Sequence, residues 1–236
     1  MATNLVSLVM NFLTPDMIGR IASALGLDRN DTSTAVSAGV PALLAALVGA
    51  TTKPGGPQKI ADAAKQEMGT LDKFASMLGS AGASSVTDRG SNILTSLLGD
   101  RDQTALANSI GKYSGLGSAA GDSVLGMLAP LVMGAIGQQQ GSRGLDASSI
   151  TNLLASQKDN IAAAIPSGFG RLLGGTGLLD SLGDTAKRAA MAGGETTRAA
   201  AASVARTFDD TRRSAAEAAS GSTNWLLWAI PAIAIA

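Results

Sequence analysis

Two pairs of acids, Asp28 with Asp31 and Asp100 with Asp102, are the residues best placed by type and spacing to do chemistry. Close carboxylates can work as acid and base. Both pairs, however, stand where apolar helical stretches begin, and acids are expected there for the helix dipole alone. The chain has no His and no Cys. The commonest general base, the commonest zinc ligand and the thiolate nucleophile are therefore all missing, and disulfides are excluded. Gly115-Leu-Gly117-Ser-Ala-Ala120 fits the letters of a dinucleotide fingerprint. No strand is expected before it, so it reads as a turn leading into a helix. Ile110-Gly111-Lys112 is not a phosphate loop, because the upstream position 106 is Leu where that motif has Gly. The expectation is a protein that is not an enzyme, with no catalytic residue, no cofactor and no metal site.

Charge and composition bear on partners. Lys plus Arg equals Asp plus Glu at 18 each, so the formal net charge is zero. Nucleic acid is not expected as a partner, since phosphate binding needs a cationic face. Arg20, Arg29, Lys53, Lys59, Lys65 and Lys73 are interspersed with acids. Aromatic residues are scarce, with one Tyr, two Trp and four Phe, while Gly reaches 29. An average chain of this length carries Gly at about 7%. The core must then be built from Ala, Leu and Gly, with helices in close approach.

The elements that position these residues read as helices throughout, and no run alternates as a strand would. The N-terminal stretch Met1–Leu13 lacks a basic start and reads as an amphipathic helix, not a leader. Thr14-Pro15-Asp16 opens a helix with a cap, a proline at its first position and an acid on its dipole. Ile18, Ile21, Ala22 and Leu25 follow at helical spacing, and Gly26 closes it. The next helix is expected to open near Asp31-Thr32-Ser33, where Asn30-Asp31-Thr32 reads as a cap rather than a glycosylation signal. It should bury Val36, Val40, Leu43, Leu44, Leu47 and Val48, with Pro41 kinking or splitting it. After the loop Lys53–Pro57, helices are expected at Gln58–Met68, Leu71–Leu78, Ser91–Leu98, Gln103–Ile110 and Ser118–Ile136. The last carries Pro130 in its middle. Asp146 should cap a further helix with the stripe Ile150, Leu153, Leu154, Ile161 and Ile165. Pro166 is a third candidate kink. Gly170-Arg-Leu-Leu-Gly174 allows a close helix contact or a turn as readily as dimerisation.

The two halves of the chain echo each other. Ile21-Ala-Ser-Ala-Leu-Gly26 resembles Leu106-Ala-Asn-Ser-Ile-Gly111, and Val40-Pro41-Ala-Leu-Leu-Ala-Ala-Leu-Val resembles Ala129-Pro130-Leu-Val-Met-Gly-Ala-Ile. Lys59-Ile-Ala-Asp-Ala-Ala matches Ser149-Ile-Thr-Asn-Leu-Leu. The expected fold is all-α, an internally duplicated multi-helix domain over residues 1–182 with halves at about 5–82 and 88–182. Three segments, Leu125–Ile136, Gly144–Lys158 and Ala164–Gly168, together resemble the bacterial family called domain of unknown function 937, which has YidB-like relatives. The resemblance covers roughly residues 5 to 180. It implies an all-helical fold and carries no catalytic residues. Some members resembling this chain continue through a membrane helix into an OmpA-like, peptidoglycan-binding domain, which would lie beyond Ala236.

Residues 183–222 change in character to Ala, Thr, Arg and Asp, with few large apolar side chains besides Val204 and Phe208. Such a stretch cannot bury a core of its own and reads as a helical or disordered tether. Residues 223–236 read as the start of a membrane anchor, through Trp225, Leu226, Leu227, Trp228, Ile230, Ile233 and Ile235. The twelve residues from Trp225 on hold no charge. At ~1.5 Å per residue they reach about 18 Å, against ~30 Å of hydrocarbon, so the segment is expected to be the front of a longer span. Trp favours the headgroup boundary, and Arg206, Arg212 and Arg213 place the preceding domain in the cytoplasm. The sequence thus points to a structural or adaptor protein of the bacterial inner membrane with an unknown protein partner and a possible homo-oligomeric state. Its partner-facing surface is expected around Pro41 and Pro130. A soluble helical binder of small molecules or lipids is the alternative, and a helix-turn-helix binder of nucleic acid ranks last.

Overall fold

Helix ends follow local chemistry. In α2 (Pro15–Leu25) the Thr14 hydroxyl accepts from the Met17 amide at 3.3 Å, and proline occupies the first turn. Gly26 closes the helix at φ 67°, a left-handed conformation that glycine adopts without a Cβ penalty. Its amide returns to Ser23 and the Leu27 amide returns to Ala22, the paired bonds of a Schellman ending. Helix α1 (Leu5–Phe12) precedes it, capped by the Asn4 side chain. These features are those of a computed structural model that describes residues 4–78, 82–141, 146–174, 176–177 and 180–183. Contacts divide the chain into two units, Met1–Ala192 and Gly193–Ala236. Residues 184–236 lie outside the described residues, and with them the expected tether and the residues expected to form an anchor, Trp225, Leu226, Leu227, Trp228, Ile230, Ile233 and Ile235.

Helix α3 (Arg29–Ala50) starts earlier than the sequence reading places it. Asp28 is the cap, its carboxylate accepting from the amides of Asn30 at 2.7 Å and Asp31 at 3.1 Å. Pro41 does not split the helix, which runs unbroken for 22 residues. Val36, Val40, Leu43, Leu44, Leu47 and Val48 are buried as expected, and so is almost every other residue from Ala35 to Val48, because other helices surround α3 on all sides.

Helices α4 (Gly56–Gln66) and α5 (Thr70–Met77) follow. Helix α6 (Gly82–Leu98) begins nine residues before the expected Ser91. Its buried line is Val86, Gly90, Leu94 and Leu97. One member is a glycine, which hides the helical spacing from a search for apolar residues. Helix α7 (Asp100–Ser114) leads through Gly115 and Gly117, both at positive φ, into α8 (Ser118–Gln140). The dinucleotide-like letters are therefore a turn between helices. Helices α9 (Ala147–Ser156), α10 (Lys158–Ala164) and α11 (Ser167–Leu173) and a 3-10 turn at Asp180–Leu182 complete the described residues, which contain no strand.

The two longest helices, α3 and α8, pack against each other at the centre. Helices α1 and α2 lie on α3, and α6 and α7 lie on α8. Beyond that the packing crosses over: α4 and α5 reach α8, while α9 and α10 reach α3. Glycine sets the closest approaches. A Cβ added to Gly90 of α6 would land 1.6 Å from the Gly126 carbonyl oxygen of α8. Gly121 similarly faces the Ala107 carbonyl of α7, and Gly137 faces the Ala64 carbonyl of α4. Pro130 has no N–H to offer the carbonyl four residues back, which is that of Gly126. The Gly90 Cα–H group stands against this stranded oxygen and supplies a weak donor.

Candidate functional site

Of the four acids that looked able to do chemistry, Asp28 and Asp102 are engaged in holding helices, and Asp31 and Asp100 stand in the first turns of α3 and α7. Asp28 caps α3 as described. Asp102 pairs with Lys53 at 2.8 Å, and the same ammonium donates to the Leu98 carbonyl at 3.0 Å. This clips the end of α3 to the junction between α6 and α7. Asp146 caps α9, accepting from the Ser149 amide at 2.6 Å and the Ser148 hydroxyl at 3.0 Å. The Ser149 amide, then the Ser149 and Ser148 hydroxyls, and more weakly Lys65 of α4, hold its carboxyl below its ordinary value. Among the described residues no three acids gather as a metal site would need.

Three buried polar side chains were not foreseen. Glu67 ends α4 with its carboxylate turned inward, and the residue is 2% exposed. The Thr70 hydroxyl donates to it at 2.7 Å, and the Arg89 guanidinium of α6 lies 3.7 Å away. That ion pair forms one wall of a groove of about 920 Å³ between α4 and α6, lined also by Lys59, Asp62, Asp88 and Asn92. Charges of both signs alternate along it, so it suits a polar polypeptide better than a phosphate chain. Gln103 of α7 ties three helices together. It accepts from the Thr95 hydroxyl of α6 at 2.7 Å and donates to Asp122 of α8 at 3.0 Å.

Gln157, fully buried, is the third. It sits at the break between α9 and α10, where one continuous buried stripe is expected from the sequence. Its carbonyl oxygen accepts from the Leu5 amide of α1 at 3.1 Å and from Asn160 at 3.3 Å. Its Nε2 is buried without a hydrogen-bond partner among the described residues. No apolar periodicity marks such residues. The one usable signal is a lone polar residue interrupting a buried stripe, as Gln157 does between Leu154 and Ile161.

The candidate kinks are placed as follows. Pro41 and Pro130 are each the thirteenth residue of their helix, and both are buried. Pro166 stands between α10 and α11, in extended backbone at the start of α11. The expectation that the faces around Pro41 and Pro130 meet a partner is corrected: those faces are packed against other helices of the same domain.

A family model described as "Bacterial protein of unknown function (DUF937)" matches residues 7–139. No curated protein and no solved structure matches the chain.

Proposed function

This chain belongs to the DUF937 family of bacterial proteins, and we propose that it is a non-catalytic envelope-associated adaptor. In this reading a cytoplasmic helical domain is tethered to the inner membrane by the segment from Trp225 on. The observation that carries it is the charge-free run Trp225–Ala236, which follows a stretch poor in large apolar residues. The division of the chain after Ala192 agrees with a separate anchoring unit. The employment of Asp28, Asp102 and Asp146 as caps and clips supports a structural role. Partner contact then falls to exposed polar surface, of which the groove between α4 and α6 is one part. Fractionation of cells expressing the chain with and without residues 225–236 tests the tether. The intact chain should sediment with membranes and resist salt extraction, and the shortened chain should be released. Intact chain found wholly in the supernatant would remove the proposal.

We also propose that the domain is a duplication with halves at about 5–82 and 88–182. Three features support it. The central prolines share the thirteenth position. The halves pack crosswise, α4 and α5 on α8 and α9 and α10 on α3. Glu67 and Gln157 occupy equivalent breaks, each with a polar partner three residues on. Co-expressed as separate chains, the two halves should form a one-to-one complex with the helicity of the whole. Halves that fold alone and ignore each other would refute it.

A further inference from the structure

We propose that α3 and α8 have a second home, and that at a lipid surface the domain opens and passes this pair into the bilayer. The inference concerns the domain and does not rest on the tether reading. Among the described residues, two unbroken helices, Arg29–Ala50 and Ser118–Gln139, have the length and composition to cross a membrane. Their charge-free stretches are bounded sharply. Between Asp31 and Lys53 lie 21 uncharged residues, and between Asp122 and Arg143 lie 20. A span of hydrocarbon takes about 20 residues, ~30 Å at ~1.5 Å each. Deep burial explains apolarity on every side of a helix. It does not require that both charge-free stretches be of bilayer length.

The prolines are the independent observation. A proline inside a water-soluble helix costs roughly 3 kcal/mol relative to alanine, and this domain keeps one in the middle of each central helix. Membrane helices carry proline and glycine more often than soluble ones do. The helices covering the pair are suited to release it. Helix α2 buries Ile18, Ile21 and Ala22 and turns Asp16 and Arg20 outward, and α6 buries Val86, Leu94 and Leu97 while Arg89 is half exposed. Such amphipathic helices can lie in the headgroup layer once uncovered. Apolar surface on α3 and α8 stays out of water whether protein or acyl chains cover it, so the transfer forfeits packing but little hydrophobic stabilisation. The cover is held to α8 by few polar ties, of which Gln103 to Asp122 is the clearest, and it falls at the charged end of the span.

The unmodified full chain provides the test, because its cations fall between the elements. Trypsin releases α3 within Asn30–Lys59 and α8 within Tyr113–Arg143, while α7 yields Asp102–Lys112. The protein is incubated with vesicles of phosphatidylethanolamine and phosphatidylglycerol, washed in urea and alkaline carbonate, digested, and the vesicle-retained peptides are identified by mass. Retention of the α3 and α8 peptides about tenfold or more over the α7 peptide is the expected result, given the insertion preference of charge-free spans. Retention of the peptide holding Trp225–Ala236 without those two would overturn the proposal and leave the tether reading standing. Retention of α3 and α8 without the tail peptide would do the reverse. A pellet free of all three refutes both.

Discussion

Around Pro130 of α8 the neighbouring helix arrives backbone first, with Gly90 laid on the Gly126 carbonyl. Around Pro41 of α3 the approach is through side-chain tips, since a Cβ on Gly39 would meet Leu128 Cδ1 at 2.9 Å and Ile110 Cδ1 at 3.4 Å. Two helices of the same length class, with proline at the same position, are thus packed by different means. Backbone cannot yield to an intruding methyl group, whereas a leucine tip can rotate away. The same contrast recurs in the two helix breaks. Glu67 reaches a half-exposed arginine at the rim of a groove. Gln157 is sealed, with only neutral partners. A carboxylate can be buried where a cation lies beside it, while a sealed position accepts only a neutral amide.

The sharpest way to break the first contrast is to add one methyl group on each side. Gly90→Ala should cost about 3 kcal/mol or more, beyond the ordinary range for overpacking because the obstacle is a carbonyl. Gly39→Ala should fall within about 1 kcal/mol of the parent, since alanine's better helix propensity offsets a small shift of Leu128. Urea unfolding followed by helical circular dichroism compares them, and equal losses would abolish the distinction.

Exchanging the two buried polar residues tests the second contrast. Gln157→Glu should cost about 3 kcal/mol, because a carboxylate there is desolvated without a cation. Recovery of that loss on acidification would identify the charge as its cause. Glu67→Gln should cost under about 1 kcal/mol, because the amide oxygen can still accept from Thr70 and Arg89 is free to turn to water. A loss in Glu67→Gln as large as that in Gln157→Glu would mean that the pair with the rim arginine is a major contribution and would remove the contrast.

The smallest effect belongs to the α9 cap. Asp146 is held below its ordinary value in the folded chain by the Ser149 amide first. Its contribution is therefore complete above the ordinary carboxylate value and is lost as pH falls through the lowered one. Amide exchange at Ser149 should quicken in that acidic window, relative to Met17 under its uncharged Thr14 cap. Parallel behaviour of the two amides would show that the cap's charge is idle.

Much of this was legible in advance. Thr14, Pro15 and Gly26 bound α2 as read, and Asp146 opens α9, because caps act within a few residues of chain. The family resemblance also holds over residues 7–139. Other features were hidden for stated reasons. The start of α6 was missed because Gly90 occupies a buried place that periodicity expects to be apolar. Burial of α3 on every side went beyond the six residues read as buried, because all-round burial cannot be read without knowing what covers a helix. The outward role given to Pro41 and Pro130 failed on the same ground.

What the amino-acid order determined by itself is the helical class, the cap chemistry and the exclusion of thiol and imidazole chemistry. Each of these is a property of single residues or of neighbours in the chain. Only the tertiary structure decided that α3 and α8 form the centre, that Glu67 meets Arg89, and that Gln157 holds the first turn of α1. These choices join residues far apart in sequence. They depend on which helix can come close to which, and here glycine sets that distance against a neighbour's backbone.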